Sequence, residues 1–398
     1  MLVSVIIPTL NRPKLVLRAI NSVLRQTYQE IEVIVVVDGP DSDTVSVVRA
    51  VNDPRLQVIV NPQSLTAAGA RNAGADHARG EWIAFLDDDD EWLPCKLERQ
   101  IAFASGHAPA LFSCLSRVVT PGATYIRPQL IFDNSCPLDE YLFDRRSLLG
   151  GSGFIQTSSY LLPRQLFDKV RFNVESPHDD WEFLLRLSKQ AGARIVTVPE
   201  VLVILYFEEE RPSLTTKTSW SASLRWLEGI QPILTRRAYS GVCLGVVGSR
   251  AAHEGAYKAF LELLHRAFRN GSPGLWQVLP FLAYWLTPQR FWGHLRGMLR
   301  RFAGSALRLA TEDDEAVGIR HNMCAERFTA SSDLNSSWCR DWGIPSVNDD
   351  TPQHPHSAPG GSSAETHNQW LGSTGSAQNW RAPVSKFRPS ARRLPLSH

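Results

Sequence analysis

The sequence predicts an α/β fold in which an open, mostly parallel β-sheet is flanked by helices. Within the first 100 residues, short strand-like runs alternate with helical patterns, and this order is typical of parallel sheets. The runs are continuous and rich in β-branched residues, as at 31–37, which suits strands covered on both faces. Polar residues follow several of the runs, and ligands of such sheets bind beyond the carboxyl ends of the strands. A ligand-binding crevice is therefore expected at that edge.

The predicted elements follow one another in a regular order. Short apolar runs predict four strands, at residues 3–7, 31–37, 56–60 and 82–86. The first connecting helix begins near Pro13, since proline suits the first turn of a helix, and the next two cover about 43–51 and 68–78. Further along, a helix begins at about residue 178, and a strand covers 194–198.

The composition limits the classes of protein that fit. With 398 residues the chain has room for two ordinary domains, and its net charge of +2 does not suggest a nucleic-acid partner. The six cysteines are widely spaced without a CxxC pair, which favours a reduced, cytoplasmic setting over a zinc ribbon or a disulfide scaffold. A signal peptide is not expected, because Met1 runs directly into the first strand. No uninterrupted apolar window reaches the roughly 18 residues that a membrane-spanning helix needs.

The pattern divides the chain into three regions. The α/β order supports a first domain at 1–215, and the helical pattern that follows predicts an accessory region at 216–310. Residues 311–398 are rich in Ser, Pro, Gly, His, Asn and Gln and keep no hydrophobic period. A segment of this composition is predicted to be disordered.

Part of the helical region has the composition of a membrane-surface segment. Residues 275–286 are almost wholly apolar, and residues 287–308 carry five arginines and no acid. One interpretation is peripheral contact through 275–308 with an anionic bilayer, at the inner face of the cell membrane. The other is a helix packed on its own domain with a basic outer face, and the sequence leaves both open.

Four consecutive aspartates, Asp87, Asp88, Asp89 and Asp90, follow the strand at 82–86. Packed carboxylates repel one another, and burying them unpaired is costly. A divalent cation bound through oxygen would remove that cost. Alternation along an extended chain predicts that Asp87 and Asp89 point one way and that Asp88 and Asp90 point the other. One such pair would hold a metal that in turn holds phosphate; the alternative is a solvated acidic turn.

Two further polar loops are expected at the same edge of the sheet. Residues 9–12 follow the first strand and residues 38–41 follow the second. A nicotinamide enzyme would need a glycine-rich GxGxxG turn after the first strand, and residues 8–12 contain no glycine. The P-loop pattern GxxxxGK[ST] is also missing, so neither class fits.

Five motifs, in order, resemble those of the family-2 glycosyltransferases, which are inverting enzymes with a GT-A (Rossmann-like) fold. The matching segments lie at 5–12 (VIIPTLNR), 34–39 (IVVVDG), 70–74 (ARNAG), 85–92 (FLDDDDEW) and 178–186 (HDDWEFLLR). The resemblance covers residues 1–215 and implies transfer of a sugar from a UDP- or dTDP-sugar to an acceptor hydroxyl. The implied acceptors are glycans, lipid-linked molecules or proteins, as in cell-surface polysaccharide synthesis.

The resemblance also implies roles for individual residues. Asp87 and Asp89 would hold Mg²⁺ or Mn²⁺, and Asp180 would be the general base. The residues that would bind the nucleotide sugar are Pro8, Thr9, Asn11, Arg12, Asp38, Arg71, Asp87 and Asp88. Asp38 would accept a hydrogen bond from the base, and Arg71 would reach a base carbonyl or a phosphate.

Several alternatives stay open beside these roles. Arg71 could form a structural pair with a nearby acid, and Asp180 could simply be an acid at a helix N-terminus. Many relatives carry an aromatic-x-x-His segment after the base helix, whereas residues 206–213 contain no histidine. The chain could therefore also be a catalytically silent homologue that binds a sugar nucleotide or acts as a scaffold.

Overall fold

A computed structural model describes residues 1–145, 153–207 and 218–286 of the chain. The arginine-rich stretch 287–308 and the predicted disordered tail at 311–398 lie outside the described residues.

Within these ranges, nine strands belong to one sheet. They are β1 (Val3–Thr9), β2 (Ile31–Val37), β3 (Leu56–Val60), β4 (Trp82–Phe85), β5 (Glu91–Trp92), β6 (Ala110–Thr120), β7 (Ala123–Arg127), β8 (Leu161–Pro163) and β9 (Arg194–Tyr206). Along the sheet the order is β3-β2-β1-β4-β8-β6-β9-β5, and β7 pairs with β6. The first four strands are mutually parallel, as predicted. Beyond β4 the sheet is mixed, since β8 is antiparallel to β4 and β6, whereas β9 is parallel to β6.

Twelve α-helices accompany the sheet in the described part of the chain. They are α1 (Pro13–Leu24), α2 (Ser42–Arg49), α3 (Thr66–His77), α4 (Lys96–Ala104), α5 (Leu138–Phe143), α6 (Arg164–Lys169), α7 (Asp179–Lys189), α8 (Trp220–Ile230), α9 (Arg236–Gly241), α10 (Gly248–His253), α11 (Ala259–Asn270) and α12 (Leu275–Leu286). A π-helical segment, Val242–Val247, joins α9 to α10. None of the helices in the described ranges combines the length and hydropathy needed to cross a bilayer.

The predicted boundaries agree with the structure where the apolar run is uninterrupted. Strands β2 and β3 have the predicted limits, and β4 ends one residue early, at Phe85. Strand β9 is longer than predicted: it continues past Pro199 and Glu200 to Tyr206. These two residues interrupt the apolar run, yet β6 pairs on both sides of them, with Cys114 opposite Val198 and Leu115 opposite Val201. The extra residues form a bulge, and the strand continues.

Helices cover both faces of the sheet, as predicted. Successive residues of β1 point to opposite faces, so Val5 and Ile7 join one hydrophobic cluster and Ile6 joins the other. Helices α1, α2 and α4 cover the first cluster, whereas α3, α6 and α7 cover the second. Gly74 lets α3 approach β1 closely, because a Cβ atom there would lie 2.5 Å from Cγ2 of Ile6. Helices α8 to α12 share the second cluster. The predicted boundary between 1–215 and 216–310 stays a prediction.

Candidate active site

The loops after β1, β2 and β4 meet at one edge of the sheet. Strand β1 lies between β2 and β4, so the carboxyl ends of the three strands are neighbours. The hydroxyl of Thr9 donates to Oδ2 of Asp88 at 2.8 Å, which joins the first loop to the third. The backbone N–H of Asn11 donates to Oδ2 of Asp41 at 2.6 Å, which joins the first loop to the second. Asp41 also caps α2 by accepting from the backbone N–H of Thr44 at 3.0 Å.

The four aspartates form a turn, residues 87–90, that we call the acidic turn. The backbone N–H of Asp90 donates to the carbonyl oxygen of Asp87 at 3.1 Å, which closes the turn. Carboxylate oxygens of Asp87, Asp89 and Asp90 all lie within 4.8 Å of one another. The expected alternation, with Asp90 beside Asp88, is therefore wrong. The strand ends at Phe85, and a turn does not keep the two-residue period of an extended chain.

Asp88 faces the first loop and is buried. It accepts from Nη1 of Arg12 at 2.8 Å as well as from Thr9, and Arg12 also lies 3.4 Å from Oδ2 of Asp89. Burial raises the pKa of Asp88, although Arg12 and Thr9 act in the opposite direction. Through these contacts Asp88 supports the acidic turn from the side of Thr9 and Arg12, two of the nucleotide-binding residues expected from the sequence.

Two residues outside every recognised motif hold the acidic turn from behind. The hydroxyl of Ser158 donates to Oδ2 of Asp90 at 2.6 Å and accepts from the backbone N–H of Asp87 at 3.1 Å. The amide of Gln156 donates to Oδ2 of Asp87 at 3.3 Å. Both residues belong to a 3₁₀ turn, Thr157–Ser159, and its N-cap. The sequence did not predict their role, because a short polar stretch without a hydrophobic period does not indicate which residues it will contact.

Arg71 on α3 joins the acidic turn to the start of α7. Its Nη2 lies 2.7 Å from Oδ1 of Asp87, and its Nη1 lies 2.8 Å from Oδ2 of Asp179. The guanidinium is buried and lies 5.2 Å from the centre of the Phe172 ring. Burial opposes the charge, but Asp87 and Asp179 together raise the pKa of Arg71 above its ordinary value. The structural pair left open by the sequence is therefore present, and Arg71 holds two acidic segments in one place.

Asp180 is the second residue of α7, next to Asp179. Its Oδ1 accepts from the backbone N–H of Trp181 at 2.8 Å. Burial, and then the charge of Asp179, raise the pKa of Asp180 to about 6. At neutral pH this carboxylate is ionised but close to its pKa, which suits a group that accepts a proton during a reaction.

Asp38 is buried and its carboxylate is occupied by protein donors. Oδ1 accepts from Nδ2 of Asn61 and from the backbone N–H of Leu65, both at 2.9 Å, and Oδ2 accepts from the hydroxyl of Ser64 at 2.7 Å. These bonds orient the loop after β2 as well as the carboxylate. Pro8 lies within β1 opposite Val36 and is buried in the sheet.

The acidic turn has the chemistry of a site for a hard divalent cation. Mg²⁺ and Mn²⁺ prefer carboxylate oxygens, and Asp87, Asp89 and Asp90 can each present one. Burial, and then the charge of Asp87, raise the pKa of Asp90 well above its ordinary value. A cation among the three oxygens would relieve this repulsion, so the residues present fit such an ion.

The segment that lacks the expected histidine lies mostly outside the described residues. Tyr206 is described: its hydroxyl donates to Oε2 of Glu91 at 2.9 Å, and the Arg18 guanidinium lies 3.9 Å from the centre of its ring. Residues 208–213 lie outside the described ranges.

The chain is similar in sequence to known glycosyltransferases. The sequence profile of the family described as "Glycosyl transferase family 2" matches residues 4–171. "Putative colanic acid biosynthesis glycosyl transferase WcaA" of Escherichia coli K12 is 32% identical over 223 residues, which cover 55% of this chain and 78% of that protein. "Amylovoran biosynthesis glycosyltransferase AmsB" of Erwinia amylovora is 28% identical over 244 residues, covering 59% of this chain and 79% of that protein.

A third relative matches over a shorter segment. "UDP-Glc:alpha-D-GlcNAc-diphosphoundecaprenol beta-1,3-glucosyltransferase WfaP" of Escherichia coli is 40% identical over 102 residues, which cover 26% of this chain and 41% of that protein. Among solved structures, S. aureus TarS 1–349 has a TM-score of 0.48 and 21% identity, and the match covers 65% of this chain and 74% of that one. WcaA, similar over more than three quarters of its length, and the matched profile together show that this chain belongs to glycosyltransferase family 2.

Proposed function

We propose that this chain transfers a sugar from a UDP- or dTDP-sugar to an acceptor hydroxyl with inversion at the anomeric carbon. The proposal depends above all on the two contacts of Arg71, at 2.7 Å to Asp87 and 2.8 Å to Asp179. They hold the acidic turn, where a diphosphate would bind through a metal, beside Asp180, which would activate the acceptor. A donor site and a base held side by side are what a direct displacement needs.

Asp180 is the proposed general base. The acceptor oxygen attacks the anomeric carbon, the bond from that carbon to the diphosphate oxygen breaks, and the acceptor proton passes to the carboxylate of Asp180. A pKa of about 6 leaves this carboxylate ionised at neutral pH. Arg71 and the N-terminus of α7 orient the segment in which it lies.

Asp87 and Asp89 are the proposed metal ligands, and Asp90 joins them because its carboxylate lies in the same cluster. Mg²⁺ or Mn²⁺ bound there would neutralise the negative charge that develops on the departing diphosphate. Asp88 and Arg12 support the turn, and Thr9 and Asn11 line the approach from β1.

The nucleoside end of the donor is proposed to lie over the loops after β1 and β2. Asn61, Ser64 and Leu65 already donate hydrogen bonds to the Asp38 carboxylate and orient it. A hydrogen bond from a base N–H would be accepted in addition to these three. Pro8 forms the floor of this end of the site. Uracil and thymine share the N–H and carbonyl edge that such a loop would recognise.

The acceptor is proposed to be a lipid-linked glycan intermediate of surface polysaccharide synthesis. The named relatives serve amylovoran and colanic acid biosynthesis, and WfaP acts on a diphosphoundecaprenol acceptor. A glycan or protein acceptor without a lipid would present a hydroxyl group to the same reaction. Buried thiols at Cys114 and Cys243 suit the reduced, cytoplasmic location that we propose with it.

Helix α12 supports the proposed peripheral contact with a membrane through residues 275–308. It carries no charged residue, and Leu275 and Leu286 on its outer side are 63% and 80% exposed. The arginines that follow it in the sequence would meet anionic headgroups. Binding to vesicles that contain phosphatidylglycerol, with loss of binding in a Leu275→Asp/Leu286→Asp variant, is the expected result. Equal sedimentation of both proteins contradicts it.

The reaction itself is tested with a panel of UDP- and dTDP-sugars in the presence of Mn²⁺. Asp180→Asn should lower transfer by about 100- to 10,000-fold, as expected for loss of a general base, while nucleotide binding stays near that of the wild type. Asp168→Asn, at an exposed carboxylate of α6, is the matched control and should transfer normally.

Two results would contradict parts of the proposal. Wild-type turnover in Asp180→Asn would refute the base assignment. Nucleotide binding by the wild-type chain without transfer or hydrolysis of any donor would favour the silent homologue.

A further inference from the structure

Helix α4 directs two polar side chains into the hydrophobic core behind the acidic turn. Lys96 and Gln100 lie one helical turn apart, and both are fully buried. Among the described residues, Nζ of Lys96 and Oε1 of Gln100 have no hydrogen-bond partner. A buried amine without a partner destabilises a fold, so its presence calls for a specific use.

The amine of Lys96 lies over an aromatic ring. Its Nζ lies 3.6 Å from the centre of the Trp92 ring, within the range of a strong cation–π contact. Trp92 is 2% exposed, and its Nε1–H donates to the carbonyl oxygen of Ser158 at 2.7 Å. A cation over an indole ring strengthens the N–H as a donor, because it draws electron density toward the ring face. Trp92 therefore connects Lys96 to the carbonyl group of Ser158.

Gln100 reaches the same 3₁₀ turn by a second route. Its Nε2 donates to the carbonyl oxygen of Ser159 at 2.9 Å and to that of Phe112 at 3.3 Å. Trp92 of β5 and Gln100 of α4 thus hold two consecutive carbonyl groups of the turn Thr157–Ser159. Ser158 in turn contacts both ends of the acidic turn, at Asp90 (2.6 Å) and Asp87 (3.1 Å).

We propose that Lys96 is a positioning residue of the metal site, acting through Trp92 and Ser158 on the spacing of the Asp87 and Asp90 carboxylates. The proposal rests on the proposed function, because it assigns a metal to the acidic turn. Positions that support metal ligands from behind typically change metal affinity by 10- to 100-fold when they are altered.

The cost of burying the charge of Lys96 agrees with a positioning role rather than a stabilising one. Burial lowers the pKa of Lys96 to about 7, so the core accommodates the charge poorly and the cation over the Trp92 ring predominates only below that pH. Methionine has a similar length and no charge, so Lys96→Met should leave the metal-free melting temperature unchanged or raised. A residue with only a structural role would lower the melting temperature on replacement and leave metal affinity unchanged.

The test is made at pH 6.5, where Lys96 is mostly protonated. It measures Mn²⁺ binding from the electron paramagnetic resonance signal of free Mn²⁺, with the melting temperature recorded in metal-free buffer. Lys96→Met should weaken Mn²⁺ binding about tenfold without lowering the melting temperature. Lys169→Met, at an exposed lysine of α6, should bind Mn²⁺ as the wild type does. Wild-type Mn²⁺ affinity in Lys96→Met overturns the inference, as does a loss of affinity that is accompanied by a lower melting temperature.

A second variant tests the route. Trp92→Phe keeps a ring beneath Lys96 but removes the indole N–H that holds Ser158. It should also weaken Mn²⁺ binding about tenfold, and the double variant should be no weaker than either single one, because both changes interrupt the same chain of contacts. Additive losses overturn the relay. If the wild-type chain binds no Mn²⁺, both the metal-dependent function and this inference are overturned. If the wild type binds Mn²⁺ and Lys96→Met binds it equally well, only this inference is overturned.

Discussion

Replacing Arg71 with methionine removes the charge that joins the acidic turn to helix α7. The side chain of Arg71 is 7% exposed, and those of Asp87 and Asp179 are 21% and 24% exposed. Methionine keeps most of the volume of the buried stem but leaves both carboxylates without their cation. The free energy of unfolding should therefore fall.

The size of the fall follows from two opposing effects. At an effective dielectric constant of 20, each attraction between charge centres about 4 Å apart is worth about 4 kcal/mol. Two attractions therefore amount to about 8 kcal/mol, and the desolvation of the buried guanidinium offsets several kcal/mol of that sum. Measured losses on breaking a buried ion pair are about 3–5 kcal/mol, and we expect Arg71→Met to fall in that range.

Arg266 provides a control on the surface, because it also contacts two carboxylates. It contacts Glu228 at 2.6 Å and Glu262 at 3.0 Å, but its side chain is 32% exposed and theirs are 45% and 44% exposed. Solvent screens these charges, so Arg266→Met should cost no more than about 1 kcal/mol. Urea denaturation of both variants at pH 7.5, in metal-free buffer, gives the two free energies of unfolding directly.

The comparison refutes the reasoning if the two variants lose the same stability. Such a result would mean that Asp87 and Asp179 do not depend on Arg71, and the link between the donor and acceptor sides of the site would be lost. The expected difference of at least about 2 kcal/mol is well outside the error of a urea titration.

Three further predictions follow from the same site. Because the pKa of Asp180 is raised to about 6, kcat/KM should fall as the pH is lowered through 6, and a rate that is flat down to pH 5 contradicts the base assignment. Burial and Arg250 lower the pKa of His178 to about 3, so the folded chain keeps this side chain neutral, whereas the unfolded chain binds a proton on it below about pH 6.5. Lowering the pH from 7.5 to 5 should therefore reduce the free energy of unfolding by about 2 kcal/mol through His178. The measurement is the difference in the pH dependence of that free energy between the wild type and His178→Phe. Finally, Asp90→Asn should weaken Mn²⁺ binding more than Asp88→Asn does in calorimetric titrations, because only Asp90 shares the carboxylate cluster; the reverse order contradicts the observed turn.

Much of the fold could be predicted because local patterns specify it. Uninterrupted β-branched runs predicted β2 and β3 with their observed limits, and proline at the first turn marked the start of α1. The end of β9 could not be predicted, because Pro199 and Glu200 break the local pattern and the strand continues only through its pairing with β6. A short window of sequence contains the period of an element but not the partner strand that extends it.

The sequence by itself determined the alternating elements, the four aspartates at a strand end and the acids that begin α7, because each depends on neighbours within a few residues. The tertiary structure decided which of these groups meet. Arg71 and Asp179 are 108 residues apart in the chain, and Asp87 and Ser158 are 71 apart, so only packing brings them together. It also decided that Asp90 joins Asp87 and Asp89, because a closing backbone hydrogen bond replaces the alternation of an extended strand.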